Sequence, residues 1–152
     1  YERYGSRISP GEVKDRQGHV LGKHPGAPFF TIGQRKGLGI ALGTPHYVID
    51  IDPRENVVVL GTDDELWEEE LTASTLNWIS IDGLQSPTEV QAKIRYNHPP
   101  APAIVYPEGT DAVRVVFKEP QRAITPGQAV VFYHDDVVVG GGWIERKPAT
   151  DT

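Results

Sequence analysis

The chain contains no cysteine and no methionine among its 152 residues. The absence of Cys excludes disulfides, thiolate metal sites and a cysteine nucleophile from this polypeptide. Met is missing even at the first position, so we expect the chain to be an excised or processed piece of a larger protein; removal of a leading Met is the alternative explanation of this beginning. No stretch approaches the ~18–20 apolar residues that cross a bilayer, and the polar N-terminus does not resemble a secretory signal. These features predict a cytoplasmic protein with no membrane partner.

Helix-favouring composition is also lacking. The 16 Gly and 13 Pro are too many for a helical protein, and valines cluster along the second half of the chain. This combination is typical of short strands joined by turns. The composition therefore predicts an all-β fold.

Positive charge is scarce and unevenly distributed. The formal net charge is −6, which argues against general attraction to a polyanion. Residues 1–45 nevertheless hold seven basic and three acidic side chains, whereas residues 46–152 hold eight basic and eighteen acidic ones. This split indicates either two modules or a polarised surface, with the first region the better candidate for contacting nucleic acid.

The order of patterns along the chain predicts three regions. Residues 1–45 read as a small β-rich module that opens with a hairpin, and we place a boundary near Pro45. Residues 46–147 carry short alternating segments at a spacing of about ten residues, which is typical of a small antiparallel β-barrel. Within them, residues 63–71 form the only plausible helical turn. We expect residues 148–152 to be a disordered tail.

The string GQRKGLG at residues 33–39 is the most distinctive motif. Its glycines let the backbone approach a partner closely while Arg35 and Lys36 project from a constrained loop, with Gln34 beside them. The string fits neither a phosphate-binding Walker loop nor a dinucleotide fingerprint. An RNA-contacting loop and a tight packing loop are equally good interpretations of the residues alone.

The segment EVQAKIRY at residues 89–96 alternates cleanly. One face carries the apolar set Val90, Ala92, Ile94 and Tyr96. Arg95 could pair with phosphate and Tyr96 could stack on an unpaired base. The residues alone favour the plainer alternative, in which Tyr96 belongs to the core and Arg95 faces water.

The segment TPGQ at residues 125–128 precedes an apolar strand. Gln128 therefore lies at a junction between a turn and a strand, where its amide could bind a sugar or a base edge or could cap the turn. The five histidines show no metal-ligand spacing, and no Ser/His/Asp arrangement can be proposed from sequence order. The sequence predicts no catalytic residue, no metal site and no cofactor bound by this chain.

Taken together, GxVxDxxGxVLGxHxGxxxFTIGQRKGLGI, YVIDID, KIRY, TPGQAVVFY and GGGWIE resemble the central and C-terminal domains of bacterial tRNA-specific 2-thiouridylases. The resemblance implies a C-terminal barrel similar to the second domain of elongation factor Tu. It also implies a parent enzyme that uses ATP and Mg in an N-terminal ATP-pyrophosphatase domain. That enzyme 2-thiolates the wobble uridine (U34) of tRNA with sulfur carried as a cysteine persulfide and delivered by a donor protein.

For this chain the resemblance implies tRNA positioning in the anticodon region without chemistry of its own. Arg95, Tyr96 and Gln128 match family positions that contact tRNA, and Gln34, Arg35 and Lys36 match a loop that contacts either RNA or the catalytic domain. An acidic β-barrel that docks proteins, with no RNA role, is the alternative. An independent small-molecule enzyme is a third hypothesis with no positive support in the sequence.

Overall fold

The computed structural model describes residues 9–35 and 45–146. Those residues form two short 3₁₀ turns, Ala27–Phe29 and Asp63–Leu66, and ten strands. The strands are β1 (Gly11–Lys14), β2 (Val20–His24), β3 (Tyr47–Asp52), β4 (Val57–Gly61), β5 (Trp67–Trp78), β6 (Thr88–Lys93), β7 (Ala101–Glu108), β8 (Ala112–Arg122), β9 (Ala129–His134) and β10 (Val137–Ile144). The predicted all-β class is confirmed.

The chain divides into two compact units, residues 1–67 and residues 68–152. In the first unit the described strands form a sheet in the order β2-β1-β4-β3, in which β1 and β4 run parallel and the other pairs antiparallel. A small apolar core lies against this sheet, formed by Val13, Val48, Val58 and Leu60.

The division between the units lies about twenty residues beyond the boundary that the sequence pattern placed near Pro45. The hairpin of β3 and β4 was assigned to the barrel, but β4 pairs with β1, where Val13 lies opposite Val58. Strand periodicity identifies a hairpin without identifying its partner, because pairing with a distant strand leaves no local signal. The tail assigned to residues 148–152 lies outside the described residues.

This division changes the charge balance on which the sequence analysis relied. Residues 1–67 hold eight basic and nine acidic side chains, and residues 68–152 hold seven basic and twelve acidic ones. The first unit is therefore close to neutral. The basic-to-acidic contrast along the chain is not a contrast between two folded units.

Over its described residues, the second unit is a closed six-stranded barrel in the order β10-β5-β8-β7-β6-β9. Over most of their length, β6, β7, β8 and β9 alternate buried and outward residues, as the pleat of a strand requires. The ring of Phe132 is fully buried and stacks on Trp78 with centroids 6.1 Å apart. Burial of these apolar side chains supplies the main stabilisation of the barrel.

Three consecutive glycines allow β10 to cross its neighbours closely. A Cβ at Gly140 would lie 2.6 Å from the ring of Trp78, and one at Gly142 would lie 2.8 Å from the carbonyl oxygen of Ser74. The register between β10 and β5 also shifts here, opposite Thr75, whose φ of 52° is unusual for a β-branched residue. This part of β10 is therefore both a close crossing and a β-bulge.

The acidic segment at residues 63–71 is helical only in its first half. Thr62 and Glu65 form a reciprocal capping box around the turn Asp63–Leu66. The chain then becomes strand β5 from Trp67 onward, so the expected helical turn ends five residues early. In the described residues, no helix has the length and apolar character needed to cross a membrane.

Candidate nucleic-acid interface

The alternating pattern of β6 ends in a turn that exposes Tyr96. Val90, Ala92 and Ile94 are buried as the pattern predicts, but Tyr96 is 93% exposed. The strand ends at Lys93, and the N–H of His98 donates to the carbonyl of Arg95 at 3.3 Å. The interpretation of Tyr96 as a core residue is therefore wrong, because the chain turns before a further alternation can place the ring inside.

Arg95 is half-buried and is held by the backbone of another segment. Its Nη2 donates to the carbonyl of Arg122 and, at 2.9 Å, to the carbonyl of Ala123. Burial lowers the pKa of Arg95, and the nearby charge of Arg122 lowers it further. The guanidinium nevertheless stays cationic in proteins. Nε and Nη1 are not used by these two bonds, so they can still face an anion.

The segment Thr125–Gln128 forms a tight turn. The N–H of Gln128 donates to the carbonyl of Thr125 at 3.3 Å, and Gly127 has a φ of 88°. Pro126 followed by a glycine with positive φ is the arrangement of a type II turn. The side chain of Gln128 is exposed. A polar amide is therefore presented at the start of β9.

Ala123 connects these two turns. Its backbone is in the left-handed region with φ 59°, a conformation that costs a non-glycine residue about 1–3 kcal/mol unless the surroundings hold it. Its carbonyl accepts from Arg95 Nη2 and from Thr125 Oγ1, each at 2.9 Å. Arg95 thus fixes the turn that carries Gln128 in addition to any contact of its own.

The strand register places the predicted residues at one end of the barrel. β6 and β9 pair antiparallel, and Lys93 lies opposite Val131. β6 therefore ends at the same end of the barrel at which β9 begins. Arg95, Tyr96 and Gln128, which are far apart in sequence, therefore lie in adjoining turns.

The turn in the GQRKGLG motif belongs to the first unit. The side-chain oxygen of Gln34 accepts from the N–H of Thr31 at 3.0 Å, and its carbonyl accepts from the N–H of Val48 at 2.9 Å. Gly33 has a φ of 92°, which explains why glycine stands there. Gln34 stabilises its own turn, Arg35 is exposed, and Lys36 lies outside the described residues.

One exposed aromatic residue that the sequence analysis did not single out is Trp143, on β10. It is 53% exposed, whereas Ile144 beside it is buried. Strand alternation was the available signal, since an inward Ile144 requires its neighbour to face outward. Among residues 9–35 and 45–146, no group of three His, Asp or Glu side chains is placed to hold a metal ion.

Comparison with known families gives the class of these two units. Residues 68–144 match the family described as the aminomethyltransferase beta-barrel domain, and residues 2–62 match the tRNA methyl transferase PRC-barrel domain. The matched ranges coincide closely with the two units. The chain belongs to the aminomethyltransferase beta-barrel domain family.

Among curated proteins, this chain is similar to enzymes named "tRNA-specific 2-thiouridylase MnmA". It is 55% identical to that of Desulforamulus reducens and 56% identical to that of Carboxydothermus hydrogenoformans, over 95% and 96% of this chain respectively. The chain spans about 40% of the length of both relatives. The resemblance to bacterial tRNA-specific 2-thiouridylases is thereby confirmed.

Proposed function

We propose that this chain positions tRNA, through the anticodon region, for 2-thiolation of the wobble uridine. The observation that carries the proposal is the meeting of three predicted contact residues at one end of the barrel. Tyr96 offers a 93% exposed ring with Lys93 Nζ 5.8 Å from its centroid, Gln128 an exposed amide, and Arg95 a cation that also fixes the second turn. An aromatic ring, a cation and an amide are the groups with which proteins hold unpaired RNA bases.

The chemistry of thiolation requires groups that this chain does not contain. Sulfur carriage as a persulfide needs a cysteine, and the chain has none. We propose that a persulfide donor protein supplies sulfur to a parent enzyme. ATP and Mg would bind to an N-terminal ATP-pyrophosphatase domain outside these residues, in a cytoplasmic protein. The names of the relatives support this assignment of the parent activity.

The acidic character of the barrel sets the expected affinity. With twelve acidic and seven basic side chains in residues 68–152, general attraction to phosphate should be weak. We therefore expect the chain to bind an anticodon stem-loop RNA with micromolar or weaker affinity at physiological salt. Filter binding at physiological salt measures this affinity, and nanomolar affinity would contradict the proposal.

Two substitutions test the named contacts. Tyr96→Ala should weaken stem-loop binding roughly ten-fold, as expected for loss of one stacked base. Gln128→Ala should weaken it about five-fold, as expected for loss of a hydrogen bond. Fluorescence anisotropy with a labelled stem-loop measures both effects. In a parent enzyme, thiolation should fall through tRNA affinity while ATP binding stays unchanged.

Tyr106→Ala is the matched control for Tyr96. Tyr106 is a partly exposed tyrosine on β7 that contacts the guanidinium of Arg114 at 4.6 Å, and it does not belong to either turn. Its loss should leave RNA affinity unchanged. If the Tyr96, Gln128 and Tyr106 variants all bind the stem-loop with equal affinity, the turns that carry Tyr96 and Gln128 do not belong to the RNA interface.

A protein-docking barrel is the second candidate function, and one observation favours it. Ile79 and Val137 are 61% and 54% exposed, and the N–H of Ile79 donates to the carbonyl of Val139 at 2.8 Å, so the two lie near each other. This apolar surface lies at the end of the barrel away from Gln128. A barrel that serves only to dock proteins should show no preference for the stem-loop over a paired duplex.

A further inference from the structure

Trp143 lies on the outer surface of the barrel and is 53% exposed. It pairs with Ala129 on β9 and with Ser74 on β5. Because directly opposed residues of antiparallel strands point to the same face, the indole lies between two short side chains. Neither is large enough to cover the faces of the ring. This geometry makes the π-face of Trp143 available to a flat partner.

The backbone places this indole next to the turn that carries Gln128. The N–H of Ile144 donates to the carbonyl of Gln128, and the N–H of Gly127 donates to the carbonyl of Ile144, both at 2.8 Å. These two hydrogen bonds fix the turn to the residue that follows Trp143. The indole and the turn that carries Gln128 therefore lie at the same end of the barrel.

We propose that Trp143 stacks on an unpaired base of the bound RNA, as a second aromatic contact beside Tyr96. The inference rests on the proposed function and adds a binding residue to it. An RNA base fits better than an apolar protein segment because Lys93, Arg95 and the amide of Gln128 occupy the same end of the barrel. Stacking also works on an acidic surface, since it does not depend on phosphate attraction.

The test compares three substitutions at this position in the 152-residue chain. Trp143→Ala and Trp143→Leu should both weaken binding of a stem-loop RNA roughly ten-fold, whereas Trp143→Phe should keep most of the affinity because it keeps a ring. The slope of affinity against salt should be the same in all three, because no charge is removed. A stem-loop with 2-aminopurine in its loop should lose fluorescence on binding, and this quenching should be clearly smaller with Trp143→Leu, in which only Tyr96 remains to stack.

Trp67→Leu is the matched control, since Trp67 is a 46% exposed tryptophan at the end of the first unit. It should leave affinity and quenching unchanged. If the unaltered chain binds the stem-loop and Trp143→Leu binds equally well, the inference fails while the proposed function stands. If the unaltered chain ignores the stem-loop, both fail. Thermal unfolding checks that the exposed site tolerates each change.

Discussion

The turn between β1 and β2 in the first unit and the turn between β8 and β9 in the second are each held by a charged side chain. In the first unit this is Asp15, whose carboxylate accepts from the N–H of Gln17 at 2.9 Å and from the N–H of His19 at 2.8 Å. All of its partners lie within four residues. The first turn is therefore a local structure that its own sequence specifies.

In the second unit the holding group comes from another strand. Arg95 follows β6 and donates to the carbonyl of Ala123, which lies beyond the end of β8. This contact exists only after β6, β7 and β8 have paired. The comparison shows that the turn in the first unit is held by neighbours in sequence, whereas the turn in the candidate interface depends on the assembly of three strands.

Truncation of the largest core side chain should have the largest effect. Phe132→Ala in the barrel removes a buried ring that stacks on Trp78, and we expect a loss of about 4 kcal/mol in the free energy of unfolding. The corresponding change in the first unit, Leu60→Ala, should cost about 3 kcal/mol. Urea denaturation measures both values. A larger loss for Leu60→Ala would show that the four-residue core carries more stability than its size suggests.

Arg95→Lys should have an intermediate effect. The shorter lysine side chain brings its ammonium short of the position of Nη2 and cannot keep both bonds to the carbonyls, so we expect a loss of about 1–2 kcal/mol in the free energy of unfolding. Hydrogen exchange at the N–H of Gln128 should quicken, because the turn loses its external support. Unchanged stability and unchanged hydrogen exchange would show that the turn that carries Gln128 needs no support from Arg95, as the turn held by Asp15 needs none from distant residues.

Asp15→Asn should have the smallest effect, visible mainly as a change in pH dependence. Desolvation raises the pKa of Asp15, but the hydrogen bonds from His19 and Gln17 lower it, and the net shift is below the ordinary value of 3.8. A lowered pKa stabilises the fold above the ordinary value, and this stability is lost as the pH falls through the folded-state pKa. Thermal unfolding between about pH 5 and about pH 2 should show this dependence weakened in the variant. Identical dependence of thermal unfolding on pH in Asp15→Asn and in the unaltered chain would contradict this expectation.

The strands and turns of this protein could be predicted where the sequence pattern that marks them is local. The hairpin that opens the first module and the strands of the barrel follow from turn residues and from alternation. The boundary near Pro45 was misplaced because the pairing of β4 with β1 joins distant segments. Short-range patterns carry no information about which strands become neighbours.

The residues of the candidate site could be predicted from the sequence, but their arrangement in space could not. Arg95, Tyr96 and Gln128 came from their residue types and from the family resemblance. Their meeting at one barrel end depends on the register of β6 against β9. The second role of Arg95, as support for the turn at Ala123, could not be predicted, because no local pattern marks a left-handed alanine.

The crossing at Gly140–Gly142 has an evolutionary consequence. A methyl group at any of the three positions would collide with a neighbouring strand, so mutation there should be eliminated by loss of folding regardless of function. The adjacent position 143 faces outward and is free of that constraint. Natural variation should therefore be rare at residues 140–142. It should be more frequent at residue 143, where an aromatic ring can be gained or lost at little cost to the fold.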